Sequence, residues 1–392
     1  MQNVKQHFLL NPDITFLNFG SFGATPKPVF EAYQNWQREL EKEPVQFMLR
    51  KGPQQLEISR KALADYIKCE ASNLLFVPNP TYGLNIVIKN LNLQPGDEVL
   101  STDLEYGACD RSWEYYCSKS GAIYKRQHIE LPVTSEEQIV EDLFKGLNKK
   151  TKLIFISHIT SSTGMILPAE KICKRAKREG LLCIVDGAHV PGHIPLDIRV
   201  LDADVYTGAC HKWMMAPKGC SFLFVKPELQ ARLDPLIVSW GYKSANPSGS
   251  QFLDYHQHTG TRDYAAYLCI PDCLAFMRAQ NWEAVSESCK ALVLGYAPKF
   301  YELLQTRPLS PLNNKHLGQM LSLQIGCSDP VGLQTLLYEK YRIEIPVIPF
   351  DGKVYIRYSI NGFNSSSDLD KLYEALKQIQ AEGKLLANIT KG

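Results

Sequence analysis

The sequence predicts an α/β fold: a large domain with a mostly parallel sheet flanked by helices, followed by a smaller C-terminal α+β domain. Three observations predict it. Between residues 73 and 225, short apolar runs alternate with helix-like segments. Two of those runs, Leu153-Ile154-Phe155-Ile156 and Leu181-Leu182-Cys183-Ile184-Val185, are uninterrupted, as parallel strands buried on both faces require. After about residue 254 long helical patterns come first and strands follow. The 392 residues are enough for two cores. The expected division is an N-terminal segment near the active site over 1–20, a large α/β domain over 21–255 and a small domain over 256–392.

The elements follow in order. Leu74-Leu75-Phe76-Val77 reads as a strand leading to a helix over 82–89, and Glu98-Val99-Leu100-Ser101 as a strand leading to a helix over 108–120. Thr134 with Glu137 has the spacing of a capping box, and Ile139, Val140, Leu143, Phe144 and Leu147 form one apolar face behind it. Asp204-Val205-Tyr206 is strand-like. Helices are expected over 267–278, 285–304 and 332–341, strands over 321–325, 345–347 and 353–359, and a last helix from about Ser365. The Gly-, Ser-, Asn- and Pro-rich stretch 239–251 reads as a long functional loop.

Composition narrows the class. Hydrophobic residues make up 45% of the chain, charged residues 21%, and the net charge is +2. No long Lys/Arg run offers a surface to nucleic acid or a membrane. The N-terminus lacks a signal-peptide apolar core and no stretch is long enough to span a bilayer. The 11 cysteines, an odd number, sit in apolar stretches and read as reduced thiols of a cytoplasmic protein. Asn388-Ile389-Thr390 matches a glycosylation acceptor without a secretory context. No metal site is expected: Cys269 and Cys273 have no second pair at zinc spacing. His189 and His193 are separated by Val-Pro-Gly, which denies them a shared helical face.

Ligands of open α/β sheets bind beyond the carboxyl ends of the strands, and the chemistry-bearing residues fall there. Asp186 follows 181–185 directly; it either caps the next turn or works on a ligand. Lys212 stands in His211-Lys212-Trp213-Met214-Met215-Ala216-Pro217, an apolar setting for a charge. Desolvation lowers a lysine pKa, and an uncharged amine can form an imine with an aldehyde. Thr81-Tyr82-Gly83, between strand and helix, is either a plain N-cap or a phosphate seat at a helix N-terminus. Tyr106 is a packed surface ring or a stacking platform. Arg357, inside the largely apolar Tyr355-Ile356-Arg357-Tyr358-Ser359, needs a partner: a structural salt bridge or a carboxylate ligand gripped by its planar fork.

Asp186-Gly-Ala-His-Val-Pro-Gly-His193, His211-Lys212-Trp213 and Pro217-Lys218-Gly219 together resemble the class-V aminotransferase family of fold-type I pyridoxal 5′-phosphate (PLP) enzymes, in its isopenicillin N epimerase-like branch. The resemblance runs from Leu17-Asn18-Phe19-Gly20 to Asn364. It implies PLP held as an imine on Lys212 and a pyridine nitrogen kept protonated by Asp186. Lys212, once released, would move the α-proton. It also implies phosphate contacts from Thr81, Tyr82, Gly83, His211 and, from a neighbouring subunit, Thr261. Tyr106 would stack on the ring, His189 would bond the ring oxygen, and Ser161 sits where desulfurase relatives have Asn. Arg357 and Asn18 would bind the substrate. Ala209 departs from the Ser or Asn of many relatives, which shifts phosphate affinity onto the other contacts.

The implied activity is epimerisation or racemisation of an amino acid. The alternatives are a cysteine or cystine C–S β-lyase, an aminotransferase and, outside catalysis, a silent PLP-binding protein. A persulfide mechanism is disfavoured because residues 342–357 contain no cysteine. The resemblance further implies a homodimer with its sites at the interface.

Overall fold

The computed structural model describes residues 4–383 and 385–386; the Asn388-Ile389-Thr390 triplet lies outside them. A short strand β1 (Thr15–Phe16) and the helices Lys27–Lys42 and Gly52–Ile67 come first. The central sheet is then laid down as β2 (Leu74–Val77), β3 (Glu98–Thr102), β4 (Ile123–Gln127), β5 (Thr151–Ser157), β6 (Leu182–Asp186), β7 (Val205–Ala209) and β8 (Ser221–Val225). The strands pair in the order β2-β8-β7-β6-β5-β3-β4. Those from β7 to β4 are mutually parallel, and β8 runs antiparallel to both of its neighbours.

Side chains alternate across the sheet with period two. Leu74, Phe76, Ile154, Ile156, Cys183 and Val185 enter one core layer, while Leu75, Val77, Leu153, Phe155 and Ile184 enter the other. Both faces are therefore apolar, which is why the runs in the sequence are continuous. Each fully buried Leu, Ile or Phe contributes about 1.5–3 kcal/mol of transfer free energy. Register places the functional row: Ser157 stands opposite Asp186, Asp186 opposite Thr207, Ala209 opposite Ser221, and Ser221 opposite Val77.

A second sheet holds β9 (Met320–Ile325), with β12 (Lys353–Ser359) at its centre and β11 (Val347–Phe350) at its edge, all antiparallel. Between them in sequence, β10 (Ile343–Glu344) pairs instead with β1. Helices Trp282–Leu304 and Ser366–Glu382 cover this sheet through Val293, Phe300, Leu372 and Leu376.

Several boundaries differ from the sequence reading for local reasons. The N-cap of helix Glu136–Phe144 is Ser135, whose hydroxyl accepts from Gln138 N–H at 3.2 Å. Thr134 instead donates its hydroxyl to the Gln138 carboxamide, so the Thr134–Glu137 capping box is not formed. A true box closes at Ser365 with Asp368. The helix expected over 267–278 is broken at Cys269 into Ala265–Leu268 and Ile270–Ala279, because Pro271 has no N–H to continue the ladder. The strand expected from 345 begins only at Val347; Pro346 contributes just its carbonyl, which accepts from Arg357 N–H at 3.3 Å.

Candidate active site

Lys212 occupies the tight turn between β7 and β8. The turn is closed by His211 N–H to the Cys220 carbonyl and Ala216 N–H to the Cys210 carbonyl, both at 3.0 Å. Met215 takes a left-handed φ of 63° to complete it. Cys210, Trp213, Met214, Met215 and Ala216 are all buried around the lysine, so its ammonium loses water that nothing apolar replaces. Burial, helped by the Arg357 charge and opposed by Asp186, brings the Lys212 amine down to about 8.

Asp186 ends β6, buried at the middle of the functional row. One carboxylate oxygen accepts from Ala188 N–H at 2.9 Å and Thr207 Oγ1 at 3.3 Å. Among the described residues the other receives only the weak thiol donor of Cys109, at 3.5 Å. Burial pushes this carboxyl upward, against the Ala188 N–H and the Lys212 charge. A strong cationic N–H donor at the second oxygen would complete its hydrogen bonding.

His189, three residues on, lies with Nε2 at 3.3 Å from Lys212 Nζ, and its Nδ1 accepts from the Trp213 indole N–H at 3.3 Å. Burial, with the Lys212 and Arg357 charges behind it, holds the imidazole well below its ordinary pKa. It is neutral.

Arg357 comes from β12, only 3% exposed. Its Nη1 donates to the Ser161 carbonyl at 2.5 Å and lies 3.3 Å from Ser161 Oγ; Nη2 donates to Ser21 Oγ at 3.1 Å. Ser21 in turn donates to Asn18 Oδ1. Among the described residues no carboxylate pairs with this guanidinium, and its buried Nε has no partner. Burial lowers it to about 10. Two glycines let the N-terminal segment reach this place. A Cβ on Gly20 would meet Met320 Sδ at 2.5 Å and Ser359 Oγ at 2.9 Å, and one on Gly23, at φ +65°, would meet the His211 carbonyl at 2.4 Å.

The remaining expected residues are distributed unevenly. Thr81, Tyr82 and Gly83 lie in the first turn of helix Pro80–Lys89, beyond the end of β2. The N-cap is Asn79, not Thr81, and Asn79 takes the Tyr82 N–H through its side chain at 2.8 Å and the Gly83 N–H through its carbonyl at 3.3 Å. Of that trio the Thr81 N–H and hydroxyl, and the Tyr82 phenol, remain without a hydrogen-bond partner among the described residues. His211 turns its Nδ1 to the Cys220 carbonyl at 3.0 Å and Ser221 Oγ at 3.3 Å, and burial brings it to about 4. Ser161 is brought to Arg357. Tyr106 is 46% exposed at the start of helix Gly107–Ser120. Its turn is pinned by buried Glu105, which accepts from Thr102 Oγ1 at 2.6 Å and from Ser157 N and Oγ at 2.7 and 2.6 Å. Thr261 is exposed and is not brought to the lysine within the chain.

Sequence reasoning gave no role of their own to Ser21, Cys109, Trp213, Glu105 and Ser221. Ser221 was findable: it stands opposite Ala209 in register, so its hydroxyl shares that face. Cys109 and Ser21 gave no signal, since only tertiary contact joins them to Asp186 and Arg357.

The profile of the family described as aminotransferase class-V matches residues 23–372. An isopenicillin N epimerase of Amycolatopsis lactamdurans is 31% identical over 390 residues, covering 96% of this chain and 98% of that protein. A probable chloroplastic L-cysteine desulfhydrase of Arabidopsis thaliana is 27% identical over 410 residues, covering 95% of this chain and 84% of that protein. Among solved structures, the chain superposes with a TM-score of 0.79 and 22% identity on a lysine-to-alanine variant of C-DES, which has glycine covalently linked to its PLP cofactor. That match covers 95% of this chain and 98% of the other, and it shows a shared fold.

Proposed function

This chain belongs to the class-V aminotransferase family, and from that premise we propose that it is a PLP-dependent enzyme moving a proton at the α-carbon of an amino acid, as an epimerase or racemase. One observation carries the reading: a desolvated lysine amine, a half-satisfied buried aspartate and a buried arginine without a carboxylate partner among the described residues converge at the carboxyl ends of β6 and β7 and on β12. PLP fits this set. Lys212 would hold its aldehyde and Asp186 its ring nitrogen, and the open donors of Thr81 would face its phosphate. Bound there, the cofactor supplies a sink for the electron pair left when a bond at the α-carbon breaks.

The chain's own residues do the rest. Arg357 grips the substrate carboxylate with its fork, steadied by Ser161 and by Ser21, which Asn18 holds. Lys212, near neutrality in its affinity for protons, takes the α-proton from one face, and inversion follows when a proton is delivered to the α-carbon from the opposite face. The apolar turn around it keeps water from competing. The proposed setting is cytoplasmic; no helix among the described residues is long and apolar enough to cross a membrane.

Incubation with single L- or D-amino acids in deuterium oxide tests the reading. Deuterium at the α-carbon with inversion, and neither keto acid nor pyruvate, is expected. A second reading, a C–S lyase acting on cysteine or cystine, is favoured by the similarity to the desulfhydrase; pyruvate with sulfide would establish it and remove the first. Keto acid formed in step with an amino acceptor would point to transamination. A cofactor band that no amino acid perturbs would leave a binding protein.

We also infer a homodimer. Thr261 is exposed, and Trp240, in the irregular stretch before helix Gln251–Gln257, is 91% exposed beside exposed Val238. A second copy would cover that apolar surface. Sedimentation as a fully active monomer would overturn this.

A further inference from the structure

We propose that Trp213 is a positioning residue: its indole N–H fixes His189 as the Nε2–H tautomer and so keeps a hydrogen-bond donor aimed at the Lys212 amine. The argument is one of donors and acceptors. An indole nitrogen can only donate. Trp213 Nε1 donates to His189 Nδ1 at 3.3 Å, so Nδ1 must offer its lone pair. The ring is buried and neutral, which leaves its single proton on Nε2. That N–H faces Lys212 Nζ at 3.3 Å. An amine can accept it; an ammonium, with three donors and no acceptor, cannot. The contact therefore favours the uncharged, nucleophilic lysine.

The assembly is held from the second sheet. Gln319, adjoining β9, donates its backbone N–H to His193 Nε2 at 2.6 Å. His193 must then carry its proton on Nδ1, which donates to the His189 carbonyl at 2.9 Å. The same imidazole stacks on Trp213 with centroids 4.0 Å apart. Gly318 makes the approach possible, since a Cβ there would meet His193 Nε2 at 2.2 Å. Trp213 is thus fixed in position, and its N–H has a fixed aim. The other groups acting on Lys212 are Arg357 from β12, Asp186 from β6 and Cys109 from helix Gly107–Ser120, with His211 beside it in the turn.

The test reads the lysine itself. In full-length protein freed of aldehyde cofactor, the pH dependence of Lys212 acylation, followed by peptide mass spectrometry, gives the midpoint of its titration. In Trp213→Phe the His189 proton is free to move to Nδ1, leaving Nε2 to accept from the ammonium. The midpoint should rise by roughly one unit, a tenfold slower acylation below it. In a His189→Ala background the same change should leave the midpoint where it was. A midpoint that Trp213→Phe leaves unmoved while His189 is present, or an equal shift with and without His189, would overturn the proposal in favour of simple packing. Should Trp213→Phe fail to fold, replacing the indole by isosteric benzothiophene removes only the N–H and is read the same way. Nitrogen-15 spectra of labelled histidine should show the His189 proton on Nε2; a proton on Nδ1 would defeat the idea. The inference takes Lys212 as the reactive amine from the reading above. Neither measurement needs cofactor, so a failure of the PLP assignment would show separately.

Discussion

Asp186 and Arg357 are buried and Lys212 half-buried, each with incomplete partners, unlike most charged residues of the chain, and that is where single substitutions should be felt most. Asp186→Asn keeps the volume and removes the charge. Turnover should fall about 10²–10³-fold, with folding intact by circular dichroism; unchanged turnover would remove Asp186 from the chemistry. Arg357→Ala removes a charge-assisted pair of about 1.5–3 kcal/mol, so KM for amino acids should rise at least about tenfold. Arg357→Lys should recover only part, since an ammonium cannot fork. An Arg357→Ala enzyme with its ordinary KM would return Arg357 to a structural role. Each of these residues was legible as an anomaly, a charge in apolar surroundings. Their missing partners were not, because a sequence does not say which side chains fail to meet.

At the level of elements, the strands declared themselves through uninterrupted apolar runs and the helices through period, but the caps were decided by geometry. Thr134 and Ser135 are adjacent and both are good N-caps. The extended conformation at Ser135, φ −157°, puts its hydroxyl on the Gln138 N–H. Ser135→Ala should cost about 1 kcal/mol in urea unfolding, and Thr134→Ala distinctly less; the reverse order would mean the helix starts one residue earlier in solution. The same competition at helix Pro80–Lys89 went to Asn79, two residues before Thr81. It has a consequence for the site, because two backbone donors that a phosphate would otherwise use are already committed.

For the molecule as a whole, burial of imidazoles ties stability to pH. Desolvation holds His158, His211 and His256 down to about 4 and His193 to about 3, and pushes His189 lower than its ordinary value as well. An unfolded chain binds those protons near 6.5. Each ring therefore contributes stability that is present above about 6.5 and is lost as the pH falls toward the folded values. The urea midpoint should decline steadily from pH 7 to pH 5, before most carboxylates titrate, and His193→Gln should flatten the slope. A midpoint independent of pH across that window would mean that these rings protonate without unfolding.

By itself the sequence determined the α/β class, the strand ends at which Asp186 and Lys212 stand, and the family, because hydrophobic period and short motifs are local properties of a chain. Tertiary structure alone decided that Arg357 has no carboxylate partner among the described residues and that Ser161 and Ser21 hold it. It also decided that Trp213 faces His189 and that a backbone N–H of Gln319 reaches His193 across the two sheets. Those contacts join residues as much as 336 positions apart, and only packing of the two cores against each other brings their donors and acceptors into line.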